Sequence, residues 1–317
     1  MKYSNFHVQQ GFIILMVMLM LALGASVWFG TGQMLRSNSM MIEREKINIE
    51  QLHRVKERML AFAALFPEIY ASDGLPGPGY FPCPDENFDG NMENSCGLDA
   101  SNDQELYVIG NVPYKIQNRN FTFLDSDMDN RKFWFALDSR FVYQSQHYAY
   151  STGRRFPELN INMDLDVDPP TGPDVPALTL DGKDEVVMVL FYSGAPISGQ
   201  NRGVNNIANY LEQPPVIAEQ TIDFISTGTT PAIFNDYVIS ITREEWRSAV
   251  LSRIGRDQDD NNRPDLCDNP APPAWFEKCT YVNSPGSNPS NGSGFDDCNT
   301  DTVDNFVGQD WRTVLGC

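Results

Sequence analysis

The sequence predicts an α+β fold, in which a long N-terminal helix packs on an antiparallel β-sheet head and a loop-rich, disulfide-stabilised region follows. Three observations support this prediction. An uncharged apolar run near the N-terminus leads into a stretch where apolar residues recur at helical spacing. The middle of the chain alternates short apolar runs with Gly, Pro, Asn and Asp. Residues 255–317 combine four cysteines with few apolar side chains.

The first element is an apolar run at residues 12–29, which contains no charged side chain. As a helix, these eighteen residues would be about 27 Å long, close to the thickness of a bilayer core. A secretory signal peptide is the alternative, because it also places a polar start before an apolar run, and the small residues 24–26 offer a weak cleavage site. Both interpretations are open at this point.

The next element is an amphipathic helix predicted over residues 34–70. Apolar side chains recur along one side of it at spacings of three and four: Leu52, Val55, Met59, Phe62 and Phe66. Charged residues between positions 43 and 58 form the opposite, solvated side. We expect the apolar stripe to pack against a sheet, and the turn-rich residues 71–79 to end the helix.

Five strands are predicted in the region that follows, because short apolar or aromatic runs there are bounded by turn residues. They cover residues 106–109, 132–137, 141–150, 185–192 and 237–242. Residues 186–192 form an unbroken apolar run, which predicts burial on both faces at the middle of a sheet. Residues 151–184 are rich in Pro and Asp and are interpreted as a surface loop, with a seam between two lobes as the alternative.

Aromatic residues cluster within two of these runs. Residues 133–135 are consecutive aromatics, and Tyr143, Tyr148 and Tyr150 follow. Packing within strands is the usual role of such residues, so they are assigned to the core, with a sugar-binding platform as the alternative.

Charge and the inventory of reactive side chains limit the functional classes. The formal net charge is −19, and no basic patch interrupts the acidic balance, so binding to nucleic acid is not expected. The three histidines, His7, His53 and His147, form no metal-binding spacing. Ser193 lacks the glycine pattern of a nucleophile elbow. No catalytic site is therefore predicted, and we do not expect an enzyme.

The cysteines predict disulfides rather than zinc binding, because their number is even and none lies in a C-x-x-C arrangement. They are Cys83, Cys96, Cys267, Cys279, Cys298 and Cys317. Loop closure favours a bond between Cys83 and Cys96, which are close in sequence and far from the others. The last four could pair in three ways.

Three clusters of Asp and Asn are candidate calcium sites, since Ca²⁺ prefers oxygen ligands. They are Asp85, Asn87, Asp89 and Asn91; Asp125, Asp127, Asp129 and Asn130; and Asp257, Asp259, Asp260, Asn261 and Asp265. The first begins like an EF-hand loop, D-x-N-x-D-G, but Cys96 stands where the bidentate Glu is expected. Turn formation through side-chain to backbone hydrogen bonds is the favoured interpretation of each cluster, and calcium in at least one of them is the alternative.

The N-terminus resembles the type IV prepilin signature. The leader MKYSNFHVQQG is polar and ends in Gly11, and Phe12 opens the apolar run directly after it. Four further segments are similar to parts of large pilin-like proteins of Gram-negative bacteria: residues 78–85, 124–138, 192–203 and 234–245. The resemblance implies that a prepilin peptidase cleaves between Gly11 and Phe12 and methylates the new amino group.

One position departs from the family pattern. Pilins usually carry Glu as the fifth residue of the mature chain, where its carboxylate meets the N-terminal amine of a neighbouring subunit, whereas this chain has Met16. A carboxylate in lipid is costly unless it is paired, so its loss removes both a cost and a docking contact. Family members without this Glu tend to be minor subunits, with tip or initiation roles.

The resemblance implies five segments along the chain. They are a leader peptide (1–11), a transmembrane half-helix (12–29), an amphipathic half-helix (30–70), a β-rich head (71–254) and a cysteine-containing C-terminal region (255–317). It implies a minor pilin or pseudopilin of a type IV pilus or type II secretion system, whose partners are other such subunits, the prepilin peptidase and the inner membrane. The head would lie in the periplasm and later at the cell surface. A pilus-mounted adhesin and a membrane-tethered periplasmic enzyme are the alternatives.

Overall fold

A computed structural model gives the structure of the protein. The residues it describes are 7–70, 77–94, 96, 107–117, 119–142, 161, 165, 176–197, 199–203, 206–211, 216–218, 221–226, 236–273, 276 and 311–317, with side chains in the first part of the long helix at 14–24, 43 and 46–50. The chain divides into two compact units, Met1–Gln51 and Leu52–Cys317. Each unit is described by itself below.

The first unit is helical wherever it is described. Helix α1 begins at His7 and ends at Ala64, inside the second unit. Its large apolar side chains between Ile14 and Leu23 are exposed, with exposed fractions from 46% at Met16 to 69% at Met18. No helix among the described residues is both long enough and apolar enough to cross a membrane.

The second unit is built on a four-stranded antiparallel sheet, which confirms the predicted combination of helices with an antiparallel sheet. The described strands of this unit are β1 (Tyr107–Asn111), β2 (Phe133–Asp138), β3 (Leu178–Leu180), β4 (Val186–Tyr192), β5 (Val216–Ala218), β6 (Thr221–Phe224) and β7 (Tyr237–Thr242). The main sheet has the order β1-β2-β4-β7, and every neighbouring pair is antiparallel. Every residue of β2 and β4 is buried, as predicted for the run 186–192.

A second, three-stranded sheet covers one face of the main sheet and was not predicted. Its order is β3-β6-β5, with β3 parallel to β6 and β5 antiparallel to β6. Leu178, Ile222 and Phe224 of this sheet pack with Trp134 and Phe191 of the main sheet. The interpretation of residues 151–184 as a surface loop is therefore wrong for β3, because Leu178 is buried in this second core.

The prediction of a strand at residues 141–150 is wrong for its first two residues, the part that the structure describes. Phe141 ends a 3₁₀ turn, Ser139–Phe141, and Val142 forms only an isolated bridge with Phe81. The Asp138 side chain accepts a hydrogen bond from the amide of Arg140 and so favours a turn directly after β2. The remainder of that prediction, including Tyr143, Tyr148 and Tyr150, lies outside the described residues.

The opposite face of the main sheet is covered by the C-terminal part of α1. The predicted stripe is confirmed, since its five members have exposed fractions of 1% or less: Leu52, Val55, Met59, Phe62 and Phe66. Side chains alternate across a strand, so Phe133 and Phe135 of β2 join this core, whereas Trp134 between them joins the core of the second sheet. A four-residue helix, α2 (Phe66–Ile69), follows α1.

Helix α3 (Arg243–Ile254) follows β7 without a connecting loop and was not predicted. It starts with a capping box, in which the Thr242 side chain accepts from the Glu245 amide and the Glu245 carboxylate accepts from the Thr242 amide. Its buried residues are Trp246, Val250 and Ile254. The Trp246 indole donates to the carbonyl of Gly79 at 2.8 Å, which fastens the chain after α2 to this helix.

The C-terminal region packs on the core between α1 and the main sheet through buried side chains, and a disulfide joins two of its own residues. Two short helices are described in it, α4 (Asp265–Asp268) and α5 (Trp311–Leu315). Cys267 of α4 is bonded to Cys317, and Cys267, Phe276 and Trp311 belong to the main core. Cys279 and Cys298 lie outside the described residues.

Candidate functional site

The first predicted acidic cluster forms a loop that we call the Asp85 loop (residues 85–93). Asp85 accepts hydrogen bonds from the amides of Asp89 (3.2 Å) and Gly90 (2.8 Å). Asn87 accepts from the Asp89 amide (2.8 Å), and Asp89 accepts from the Asn91 amide (2.7 Å). These bonds are the turn chemistry that the sequence predicts for this cluster.

The Asp85 loop is held against β1 and closed by a disulfide. The Cys83–Cys96 bond, which loop closure favours, joins the residues on either side of it. The Asp85 amide donates to the carbonyl of Asn111 at 2.9 Å. Gly110 allows β1 to lie this close to Pro84 and Asp85, since a Cβ atom at position 110 would lie 2.7 Å from the Pro84 side chain. Asp85 is consequently fully buried.

Four carboxylates concentrate negative charge in the Asp85 loop, those of Asp85, Glu86, Asp89 and Glu93. Burial raises the pKa of Asp85, and the nearby Asp89 carboxylate raises it further, against the hydrogen bond from the Gly90 amide. The pKa of Glu93 is also raised, first by burial and then by Asp89 and Asp85. Each of these shifts means that the folded protein holds the charged carboxyl less readily than water does.

The third cluster forms the Asp257 loop (residues 257–268), which repeats the hydrogen-bond register of the Asp85 loop. Asp257 accepts from the amides of Asn261 (3.3 Å) and Asn262 (2.8 Å). Asp259 accepts from the Asn261 amide (3.3 Å), and Asn261 accepts from the Arg263 amide (2.8 Å). In both loops, the side chain of the first residue thus accepts from the amides four and five residues later. The side chains of the third and fifth residues each accept from the amide two residues later.

The backbone conformations of the two loops agree as well. The fourth residue of each has positive φ, 63° at Phe88 and 55° at Asp260. The sixth residue does too, 82° at Gly90 and 64° at Asn262. Asn tolerates the left-handed region better than most residues, which explains how Asn262 can replace a glycine there.

Carboxylate oxygens converge in the Asp257 loop. Asp257, Asp259 and Asp265 each place one oxygen within 4.8 Å of the others, and among the described residues this is the one such group found. Burial raises the pKa of Asp257, but hydrogen bonds with Asp259 and with backbone amides outweigh it and lower that pKa. Asp268, which sequence reasoning missed, forms an ion pair with Arg263 at 3.0 Å.

A sequence signal for Asp268 did exist. Counted from Asp257 as position 1, Asp259, Asn261, Asp265 and Asp268 occupy positions 3, 5, 9 and 12, where an EF-hand loop has side-chain ligands. Counting from Asp85 instead leads to Cys96 at position 12. The Asp257 loop therefore has the fuller set of oxygen donors of the two.

The second cluster joins α1 to the rest of the second unit. Asp125 pairs with Arg58 (2.5 Å) and Arg54 (3.2 Å) of α1. The hydrogen bond from Arg58 lowers the pKa of Asp125. Asp129 accepts from the Arg131 amide at 3.3 Å, as in a turn. A cation at Asp125 would have to compete with two guanidinium groups, and Asp127 belongs to no group of converging carboxylates among the described residues.

The calcium alternative predicts that added calcium raises the melting temperature of the protein through the Asp257 loop. At a calcium concentration about 100 times the dissociation constant, binding would add about 2.7 kcal/mol, or roughly 5–10 °C for a unit of this size. Thermal unfolding with added calcium and with EDTA measures this. Asp259→Ala removes an oxygen donor that asparagine would still supply, and it should remove most of the calcium-dependent shift. The matched control, Asp184→Ala, changes an exposed carboxylate elsewhere and should keep the shift. Equal melting temperatures in calcium and EDTA would contradict the prediction.

The predicted processing site lies in the first unit. Gly11 and Phe12 belong to α1, and their side chains lie outside the described residues. Elsewhere, the structure brings residues 192–203 into contact with residues 234–245, because the amide of Gly194 donates to buried Asp236 at 2.8 Å. No protein-family model, curated protein or solved structure matches the chain.

Proposed function

We propose that this chain is a minor pilin or pseudopilin subunit of a type IV pilus or type II secretion system. A prepilin peptidase cleaves it after Gly11, and residues 12–29 hold it in the inner membrane with the second unit in the periplasm. It then joins other pilin or pseudopilin subunits in a filament. The observation that carries the proposal is the polar leader ending in Gly11 directly before an uncharged run of eighteen residues.

The helix supports this proposal in two ways. α1 contains both the apolar run and the first four residues of the stripe that packs on the main sheet, so one element would supply an anchor and part of a core. The exposed apolar side chains between Ile14 and Leu23 are unfavourable in water and need lipid or protein around them. A membrane before assembly and neighbouring helices after assembly meet that need.

Two features favour a minor subunit. Met16 replaces the acid that pairs with a neighbouring amine in most pilins. The second unit, Leu52–Cys317, is large for a subunit repeated closely along a filament. A tip or initiation position requires neither the acid nor close repetition.

Coexpression with a prepilin peptidase is expected to yield a mature chain that starts at Phe12, with or without one added methyl group. Intact mass and N-terminal peptide analysis measure both changes. Gly11→Val is the matched variant, because a β-branched side chain next to the scissile bond should block cleavage while leaving the second unit unchanged. Chains that start at Met1 or near Val27 in the presence of active peptidase would overturn the proposal in favour of an uncleaved anchor or a secreted protein.

A further inference from the structure

A cleft of about 550 Å³ opens beside the Asp85 loop, in the size range of small-ligand sites. Its lining residues are Asn91, Lys115, Ile116, Gln117, Arg119 and Asn120. Five of the six carry polar side chains, and none of these described lining residues is acidic. The six lining residues themselves carry two positive charges and three amide groups, in a chain with a net charge of −19.

Backbone hydrogen bonds fix the walls of the cleft. The amides of Tyr114 and Lys115 donate to the carbonyl of Gly90 at 2.8 and 3.1 Å. The Met92 amide donates back to the Lys115 carbonyl at 3.3 Å. The turn that carries the remaining lining residues closes with a bond from the Arg119 amide to the Ile116 carbonyl, 3.3 Å. These bonds fix the wall formed by the Asp85 loop against the wall formed by residues 114–117 and 119–120.

The two cations of the cleft differ in their surroundings. The Arg119 guanidinium lies 4.9 Å from the centroid of the Tyr70 ring, a cation–π contact that orients its donors. The side chain of Lys115 is exposed and forms no hydrogen bond or ion pair with another described side chain. The two positive charges that line the cleft favour an anionic ligand, and the planar guanidinium of Arg119 fits the two oxygens of a carboxylate.

We propose that this cleft binds a carboxylated saccharide. Lys115 and Arg119 bind the carboxylate, and the amides of Asn91, Gln117 and Asn120, which both donate and accept, bind the ring hydroxyls. The proposal goes beyond filament assembly, because a structural subunit needs no small ligand for its place in a filament. It makes this subunit a point of contact with acidic polysaccharide.

The test compares methyl β-D-glucuronide with methyl β-D-glucoside, two sugars that differ only at C6, which is a carboxylate in the first and a hydroxymethyl group in the second. The full-length protein in detergent micelles is titrated with each sugar by calorimetry or ligand-observed NMR. We expect the glucuronide to bind at least about tenfold more tightly, and Lys115→Gln to weaken its binding by about tenfold. Lys183→Gln removes an exposed positive charge outside the cleft and should leave binding unchanged.

Each contrary outcome overturns a defined part of the proposal. Equal binding of the two sugars would exclude recognition of the carboxylate. Unchanged glucuronide binding by Lys115→Gln, with an unchanged melting temperature, would exclude this cleft as the site. If acetate competes as well as the glucuronide at equal concentration, the hydroxyls contribute nothing, and a bare carboxylate such as a peptide C-terminus replaces the saccharide as ligand.

Discussion

Replacing Phe62 with alanine is expected to lower the free energy of unfolding of the second unit by about 3–5 kcal/mol. The ring is fully buried at the point where α1 meets the sheet and the loops before it. Its centroid lies 5.6 Å from that of Phe66, 5.5 Å from Phe121 and 5.1 Å from Phe123, in edge-on or tilted arrangements. Truncation removes this apolar area from the core and leaves a cavity that the surrounding rings cannot fill.

Thermal or urea unfolding followed by near-ultraviolet circular dichroism measures the loss, because that signal reports packed aromatic side chains. Phe62→Leu, which keeps more of the buried volume, should cost less than the alanine variant. Leu65→Ala is the matched control directly after α1, because Leu65 is 37% exposed and its truncation should cost less than about 1 kcal/mol. Equal losses for Phe62→Ala and Leu65→Ala would contradict the packing of the stripe.

Replacing Asp138 with alanine is expected to cost about 3–5 kcal/mol, because it breaks a buried ion pair. The side chains of Asp138 and Arg140 are 1% and 3% exposed, and the pair is bidentate, with nitrogen to oxygen distances of 2.6 to 3.0 Å. Arg140 also donates to the carbonyl of Leu165 at 2.8 Å. Without Asp138, the guanidinium charge stays in the core and loses the Asp138 carboxylate.

The double variant Asp138→Leu with Arg140→Met distinguishes the net contribution of the ion pair from the cost of leaving one of its charges buried. Removing both charges avoids an uncompensated ion, so the double variant should be more stable than Asp138→Ala alone. The same unfolding measurement applies to both. A loss below about 1 kcal/mol for Asp138→Ala would place the pair among surface ion pairs and contradict its burial.

Strand length decided which strands could be predicted from the sequence. β7 was predicted at its observed bounds, and β2 and β4 within about one residue, because each is six or seven residues long and shows a continuous pattern. β3 and β5 have three residues each, too few for a pattern to emerge. Helix α3 was missed because no turn residue separates it from β7, although the capping-box sequence at Thr242 and Glu245 indicated its start.

Local chemistry was more predictable than the cleft. The turn bonds of Asp85 and Asp257 are made within six residues of chain, so the sequence contains all the partners. The Cys83–Cys96 bond followed from loop closure for the same reason. The cleft combines Asn91 with residues 115–120, and only the folded chain brings those two segments together.

Thr242 determines how a force applied to α3 is transmitted to the main sheet. It is the last residue of β7 and the N-cap of α3, so no flexible linker separates the strand from the helix. A force on α3 along the axis of β7 is therefore transmitted directly to the hydrogen bonds between β7 and β4. These bonds lie across the strands and are loaded in shear, so they resist the force together. Strand β4 in turn pairs with β2, so the load spreads into the most buried part of the sheet.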